Sequence, residues 1–264
     1  MKIKLFFITL FCFLPQLAAA QTADEVVKKT LDARGGADKI RAVQSERITG
    51  RVSSAQGVEG GFVLELKRPY KMHTEISVDG QKIIRVYDGK SAGWTINPFM
   101  ENKDVQPMPA EDLKGITDES DMDGPLMDYK SKGHTIELIG KEDLDGKPVY
   151  RLKVTTKNGD VRSYLIDASS FVTVKWVGLR KIGNQDFPWE SVLSDYRDVQ
   201  GLKYPFKIEQ GSPGTEFKQT LTTEKVEINP PLDDSRFAKP PSPAAPADPP
   251  AASPTPTSST STQD

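Results

Sequence analysis

The chain of 264 residues has one cysteine, Cys12, and two histidines, His73 and His134. A disulfide within the chain is therefore excluded, and a zinc or copper site lacks its usual ligands. No metal and no cofactor is expected. Long apolar runs are missing after residue 20, so no later segment offers the roughly 20 apolar residues of a membrane-spanning helix. There is also no basic excess. Removing Lys2 and Lys4 leaves 33 Lys and Arg against 37 Asp and Glu, a net charge of −4. That balance excludes the basic face of a general nucleic-acid binder.

The two ends of the chain stand apart from its middle. Lys2 and Lys4 precede an apolar stretch from Leu5 to Leu17, and Ala18-Ala19-Ala20 offers the small residues that a signal peptidase needs. Residues 1–20 read as a cleavable export signal, with cleavage before Gln21. Lipidation at Cys12 is disfavoured because the bulky Phe11 stands where a small residue is required. Residues 239–264 are largely Pro, Ala, Ser and Thr, carry no large apolar side chain and read as a disordered tail. Residues 21–238 fit a single β-rich domain.

That domain opens with a predicted helix. Thr22 with Glu25 three residues on makes a capping box, Val26, Val27, Thr30 and Leu31 form one stripe, and Gly35-Gly36 ends it. Ala37 to Val43 adds a turn or two. Strands are predicted near Glu46–Ser53, Gly61–Lys67, Tyr70–Ser77, Ile83–Tyr87 and Ala92–Ile96. Alternation sets Phe62, Leu64 and Leu66 on one face of the second, and Tyr70, Met72, Thr74 and Ile76 on one face of the third. From Asn97 to Gly133 the cadence stops. Pro109 can start a short helix through Leu113, and Leu126, Met127 and Tyr129 suggest a second helical piece. A segment of this length between strands reads as an ordered cover.

The strand cadence then resumes from Gly133. Asp145-Gly146 and Asn158-Gly159 are hairpin signals, since the favoured two-residue turn needs positive φ at both central residues. Further strands fall near Trp189–Tyr196, Tyr204–Glu209 and Phe217–Ile228. The fold class is therefore mainly β (α+β), with about 11–12 antiparallel strands. A sheet that large should curl into a barrel or part-barrel, its helices covering the concave face.

No catalytic cluster accompanies the strands. Gly89-Lys90-Ser91-Ala92-Gly93 matches the G-x-S-x-G string, but a nucleophile elbow needs strand, sharp turn and helix, and here Trp94-Thr95-Ile96 continues as strand. The acidic stretch Asp118, Glu119, Asp121, Asp123, Gly124 fails as a calcium loop because Lys130 falls at the closing bidentate position. Lys141 to Gly146 fails in the same way. Both stretches read as solvated loops. The aromatics Tyr70, Trp94, Tyr150, Tyr164, Trp176, Trp189 and Phe206 mostly fall in strands, where they suit ordinary packing singly and the lining of an apolar cavity collectively.

Three segments carry a family resemblance. Leu66-Lys67-Arg68-Pro69-Tyr70-Lys71-Met72 resembles the K-R-P signature of the LolA-type periplasmic lipoprotein carriers. Tyr87-Asp88-Gly89-Lys90, Trp94 and Asn97-Pro98-Phe99-Met100-Glu101 resemble that family's D-G-K…W…N-P-F segment. Pro231-Leu232-Asp233-Asp234-Ser235-Arg236-Phe237 resembles its closing stretch. The resemblance implies a half-open antiparallel β-barrel whose concave face holds acyl chains, in a periplasmic protein that makes and breaks no bond. The candidate cavity residues are Phe62, Leu64, Leu66, Met72, Ile76, Trp94, Ile96, Leu152 and Val154. Leu113, Leu126, Met127 and Tyr129 would form the lid, and Arg68 would bond to lid backbone and hold it shut. Met72 stands where the family has a phenylalanine. The implied partners are lipoprotein acyl chains or another amphipathic lipid, with an inner-membrane donor and an outer-membrane acceptor, the chain acting as a monomer. The alternative is an envelope protein-binding or stress-sensing domain on the same fold.

Overall fold

The computed structural model of the chain describes residues 21–182, 185–216 and 218–242. The expected signal segment, the expected tail from residue 243 onward and Phe217 lie outside the described residues.

Helix α1 (Ala23–Arg34) starts on the expected capping box, with Glu25 N donating to Thr22 Oγ1 at 3.2 Å and Thr22 N to Glu25 Oε2 at 2.9 Å. Val26, Val27 and Thr30 are its buried stripe. Gly35 ends it at φ 131°, where a Cβ would lie 2.4 Å from the Gly201 carbonyl oxygen, so only glycine allows this turn to touch the sheet. The short helix α2 (Ala37–Ala42) follows.

Thirteen antiparallel strands form one sheet. In chain order they are β1 (Ser45–Ser54), β2 (Glu59–Lys67), β3 (Lys71–Val78), β4 (Gln81–Tyr87), β5 (Gly93–Ile96), β6 (Gln106–Pro107), β7 (Thr135–Leu144), β8 (Lys147–Thr155), β9 (Val161–Asp167), β10 (Thr173–Ile182), β11 (Gln185–Val199), β12 (Leu202–Gly211) and β13 (Lys218–Ile228). Twelve lie near the predicted positions. The added one, β6, is only two residues long and sits inside the expected interruption. Asp145 and Gly146 both take positive φ, 54° and 80°, as the two-residue hairpin requires. At Asn158-Gly159 only Gly159 does, at φ 88°.

The spatial order runs β6-β5-β4-β3-β2-β1-β13-β12-β11-β10-β9-β8-β7. Pairing of β1 with β13 joins the two meanders at the centre. The sheet does not close, and its two edges are β6 and β7, which are neighbours in sequence. The chain between them therefore has to cross the whole open mouth of the half-barrel.

Cross-strand partners share a face, so the register separates the two sides. The row Leu66, Met72, Tyr87, Gly93 is on the inner face. The rows Val52, Leu221, Ile208, Leu193 and Leu138, Leu152, Tyr164, Trp176, Ser191 continue that face around the sheet. Two apolar clusters build the inner core. One gathers Leu66, Met72, Tyr204 and Phe206 with Ile40 of α2, and the other gathers Leu152, Val154, Tyr164 and Ile166 with Val26 and Val27 of α1. The outer face is covered in one place only by described helix: the 3₁₀ turn η1 (Asp234–Phe237) packs on β3 and β4 and buries Phe237 to 2% exposure.

Candidate functional site

The crossing segment between β6 and β7 closes the inner face. Its helix α3 (Ala110–Glu119) is preceded by Pro109 and carries Glu111 and Asp112 in its first turn, where acidic side chains suit the helix dipole. Leu113 and Ile116, three apart, face the sheet. Leu113 and Met108 lie directly over Gly93, where a Cβ would come within 2.9 Å and 2.8 Å of them. Ile116 and Met127 are completely buried and Leu126 is 7% exposed. The expected second helical piece around Leu126, Met127 and Tyr129 is instead a run of turns from Pro125 to Gly133. Asp128 and Gly133 take positive φ there, which a helix cannot accommodate.

Ion pairs tie this strap to both walls. Glu119 accepts from Arg85 of β4 at 2.8 Å, while its neighbour Asp118 accepts from Arg162 of β9 at 3.0 Å. After α3, the turn from Asp121 to Gly124 is held by three cations. Arg34 donates to the Asp123 and Met122 carbonyl oxygens at 2.9 and 3.0 Å. Lys132 Nζ donates to Asp121 Oδ2 at 2.5 Å and to the Gly124 carbonyl at 2.9 Å. Arg68 grips the Asp123 carboxylate with both Nη atoms, at 2.9 and 2.5 Å. The same guanidinium donates to the Val43 carbonyl at 2.6 Å and the Ile40 carbonyl at 3.1 Å, both at the end of α2. Burial pushes Asp123 up, but the Arg68 guanidinium, with Lys132 and Arg34, outweighs it and holds the carboxyl below its ordinary value. Beneath the latch, on the inner face of β1, Glu46 is 4% exposed and accepts from the Tyr204 hydroxyl. Burial raises its carboxyl above the ordinary value, against the lowering effect of Tyr204, Arg34 and Arg68.

The acidic stretch at 118–123 is therefore no solvated loop, as its composition suggested. Asp118, Asp121 and Asp123 retain only 19%, 12% and 15% side-chain exposure and each faces a cation. Arg34, Arg85, Arg162 and Lys132 were not singled out by sequence, because each lies far along the chain from its partner. The capping box and helix stripe fixed where Arg34 lies, but not what it would meet.

Of the candidate cavity residues, Phe62, Leu64, Leu66, Met72 and Ile76 share the inner face. Leu152 and Val154 lie on that face within the second cluster. Trp94 and Ile96 do not join them. Gly93 is the inner-face residue opposite Tyr87, so Trp94, opposite Val86, and Ile96, opposite Ile84, point to the outer side. The period of two makes this an all-or-none matter: the strand starts one residue out of phase with the expected face. In the strap, Leu113 and Met127 pack with the first cluster, and Leu126 and Tyr129 with the second. Tyr129 also donates its hydroxyl hydrogen to Asp24 of α1. Arg68 contacts backbone as expected, though that backbone belongs to α2, and its grip on the strap is through the Asp123 side chain.

The inner chamber is filled by the protein's own side chains. Among the described residues, one cavity of about 100 Å³ opens at the latch, lined by Arg68, Pro69, Tyr70, Ser120, Met122 and Asp123 with Asp121. A second, of about 20 Å³, lies under Arg162 and Asp118. Ser91 is exposed in the β4–β5 hairpin, with its amide donating to Asp88 Oδ1 at 3.0 Å, and strand follows it. The nucleophile elbow is thus absent from that position.

No protein-family model matches the chain, and no curated protein matches it in sequence. Its likeness is to solved structures. A DUF1329 family protein from Desulfovibrio piger superposes with a TM-score of 0.54 at 11% identity, covering 83% of this chain and 98% of that one. An outer membrane lipoprotein-sorting protein domain from Vibrio parahaemolyticus gives 0.53 at 12% identity, covering 82% and 96%. A LolA superfamily protein from Nitrosomonas europaea gives 0.51 at 12% identity, covering 83% and 99%. At these identities the likeness shows the fold, and the fold is LolA-like.

Proposed function

We propose that this chain is a carrier that holds acyl chains against the inner face of its half-barrel, without covalent chemistry. One observation carries the reading: the apolar inner face is closed by a segment that runs from edge to edge of the sheet and is fastened at both walls by ion pairs. Such pairs can be broken and remade at small cost, whereas a chamber filled by continuous core would not open.

The energetics fit a carrier. An acyl chain in water costs about 0.8 kcal/mol per CH₂, so transport through an aqueous compartment needs an apolar cover. Drug-sized ligands occupy pockets of roughly 300–1,000 Å³. The closed chamber, with about 100 Å³ at its mouth, admits an acyl chain only when the strap swings out and Leu113, Ile116 and Met127 vacate their positions. Those side chains stand in for the ligand in the closed form. Closure without ligand then buries apolar surface that would otherwise be wet, which keeps binding reversible.

The names carried by the Vibrio and Nitrosomonas proteins support lipoprotein acyl chains, or another amphipathic lipid, as cargo. An export signal at residues 1–20 would place the carrier in the periplasm, between an inner-membrane donor and an outer-membrane acceptor. The test is to purify the chain from cells, extract it for lipid mass spectrometry, and titrate it with a fluorescent fatty-acid probe. Co-purified lipid and saturable probe binding are expected. Absence of both, with a stable protein partner recovered instead, would replace the carrier with a protein-binding domain.

A further inference from the structure

The latch joins an arginine whose position does not depend on the strap to a carboxylate that belongs to the strap. Arg68 Nε and Nη2 are fixed by the Val43 and Ile40 carbonyls, at 2.6 and 3.1 Å, at the end of α2. Its two Nη atoms meanwhile take Asp123 Oδ1 and Oδ2 at 2.5 and 2.9 Å. This fork is the geometry that recognises planar and tetrahedral oxyanions. When the strap leaves, Asp123 goes with it, but the α2 carbonyls still aim the fork. Arg34 loses its own acceptors at the same moment, since both are carbonyls of residues 122 and 123.

The place of this fork matters as much as its shape. Arg68 is two residues beyond Leu66, which faces Met72 across the β2–β3 ladder at one end of the inner apolar face. The cavity at the latch opens beside it. A molecule with its acyl chain along Leu66 and Met72 has its polar end at Arg68. Opening also leaves two part-buried guanidiniums short of partners, which is costly. A neutral headgroup leaves that cost standing, whereas an anionic one removes it.

We propose that Arg68, with Arg34 beside it, is the headgroup site for the oxyanion of a carboxylate- or phosphate-headed amphiphile, and that Asp123 is the internal occupant of that site in the closed form. This rests on the carrier reading and adds the sign and chemistry of the cargo's polar end. Binding and opening are then one exchange: the ligand's oxyanion takes the fork as Asp123 gives it up. Glu46 lies below the pair and Asp121 is held by Lys132, so neither takes the Asp123 position.

The test is displacement of a fluorescent acyl probe from the purified chain by oleate, oleoyl lysophosphatidate and uncharged oleyl alcohol, with acetate and inorganic phosphate as headgroups without chains. The two acids are expected to compete about tenfold better than the alcohol, and the chainless anions not at all. Asp123→Asn, which leaves the fork free, should tighten the acids more than the alcohol. Arg68→Gln should erase the acid preference while the alcohol still binds, and a circular dichroism melt checks that this variant folds. Equal affinity of acids and alcohol, or equal tightening of both by Asp123→Asn, would overturn the headgroup site and leave the carrier standing. Displacement by inorganic phosphate alone would overturn the assignment to a lipid. Absence of saturable binding by every amphiphile would remove the carrier reading itself.

Discussion

Asp118 and Arg162 meet at 3.0 Å although one ends the strap helix and the other belongs to the far wall of the sheet. The next residue, Glu119, reaches the near wall at Arg85. Two adjacent side chains thus fasten the same helix end to strands on opposite sides of the chamber.

Breaking both fastenings should loosen the strap without unfolding the sheet. The double variant Arg85→Ala, Arg162→Ala is expected to lower the cost of opening by about 1–2 kcal/mol, roughly a 5–30-fold rise in the open population. Hydrogen exchange over residues 110–119 should speed accordingly, and acyl-probe association should accelerate, while exchange in β12 stays slow. Unchanged exchange in α3 would show that these pairs do not hold the strap.

Gly93 gives a way to wedge the strap open from beneath. A Cβ there would come within 2.8 Å of Met108 Sδ and 2.9 Å of Leu113 Cδ2. Gly93→Val should cost about 1–3 kcal/mol of stability through overpacking and raise probe binding by displacing α3. A destabilised variant with unchanged binding would mean that the sheet, not the helix, had yielded.

The face assignment has an optical consequence. Trp176 and Trp189 lie on the inner face by register and Trp94 on the outer. With single-tryptophan variants, a fatty acid brominated along its chain should quench Trp176 or Trp189 and leave Trp94 bright. Quenching of Trp94 alone would place the cargo on the other side of the sheet.

On the outer face, stability should depend on pH through Glu65, which is 1% exposed. Burial pushes its carboxyl up. His73 at 3.4 Å, in ion-pair range without hydrogen-bond alignment, acts with Arg47 and Arg236 to bring it down to about 2 from 4.5. A depressed carboxyl adds stability that is fully present above pH 4.5 and is lost as pH falls towards about 2. The contribution is on the order of 3 kcal/mol. In urea melts, the gap between the wild type and Glu65→Gln should be widest at neutral pH and shrink below pH 4.5. A gap that stays constant down to pH 2.5 would show that Glu65 is not held ionised by its partners.

Much of the fold was legible in the residues themselves. Thr22 and Glu25 specify the helix start because their side chains cap backbone amides locally, and Asp145-Gly146 specifies a hairpin because both residues tolerate positive φ. Alternation found Phe62, Leu64, Leu66, Met72 and Ile76 on one face, since a strand's period of two is a local property. It failed at Trp94 and Ile96, where four strand residues are too few to show which phase faces inward. Leu126, Met127 and Tyr129 carried apolar spacing but no helix, because Asp128 bends the chain between them.

Local chemistry thus determined the strands, the first helix and the apolar, uncatalytic character of the inner wall. Which two strands would be left as edges was decided by long-range pairing of β1 with β13, and that pairing alone turned the stretch from Asn97 to Gly133 into a strap across the mouth. The acids at 118, 119, 121 and 123 look like a wet loop in sequence because their cations lie at positions 34, 68, 85, 132 and 162. Only the folded sheet brings those charges within 3.0 Å of them. The interaction that closes the chamber is therefore a property of the topology, since charge pairing needs proximity that no local stretch of this chain supplies.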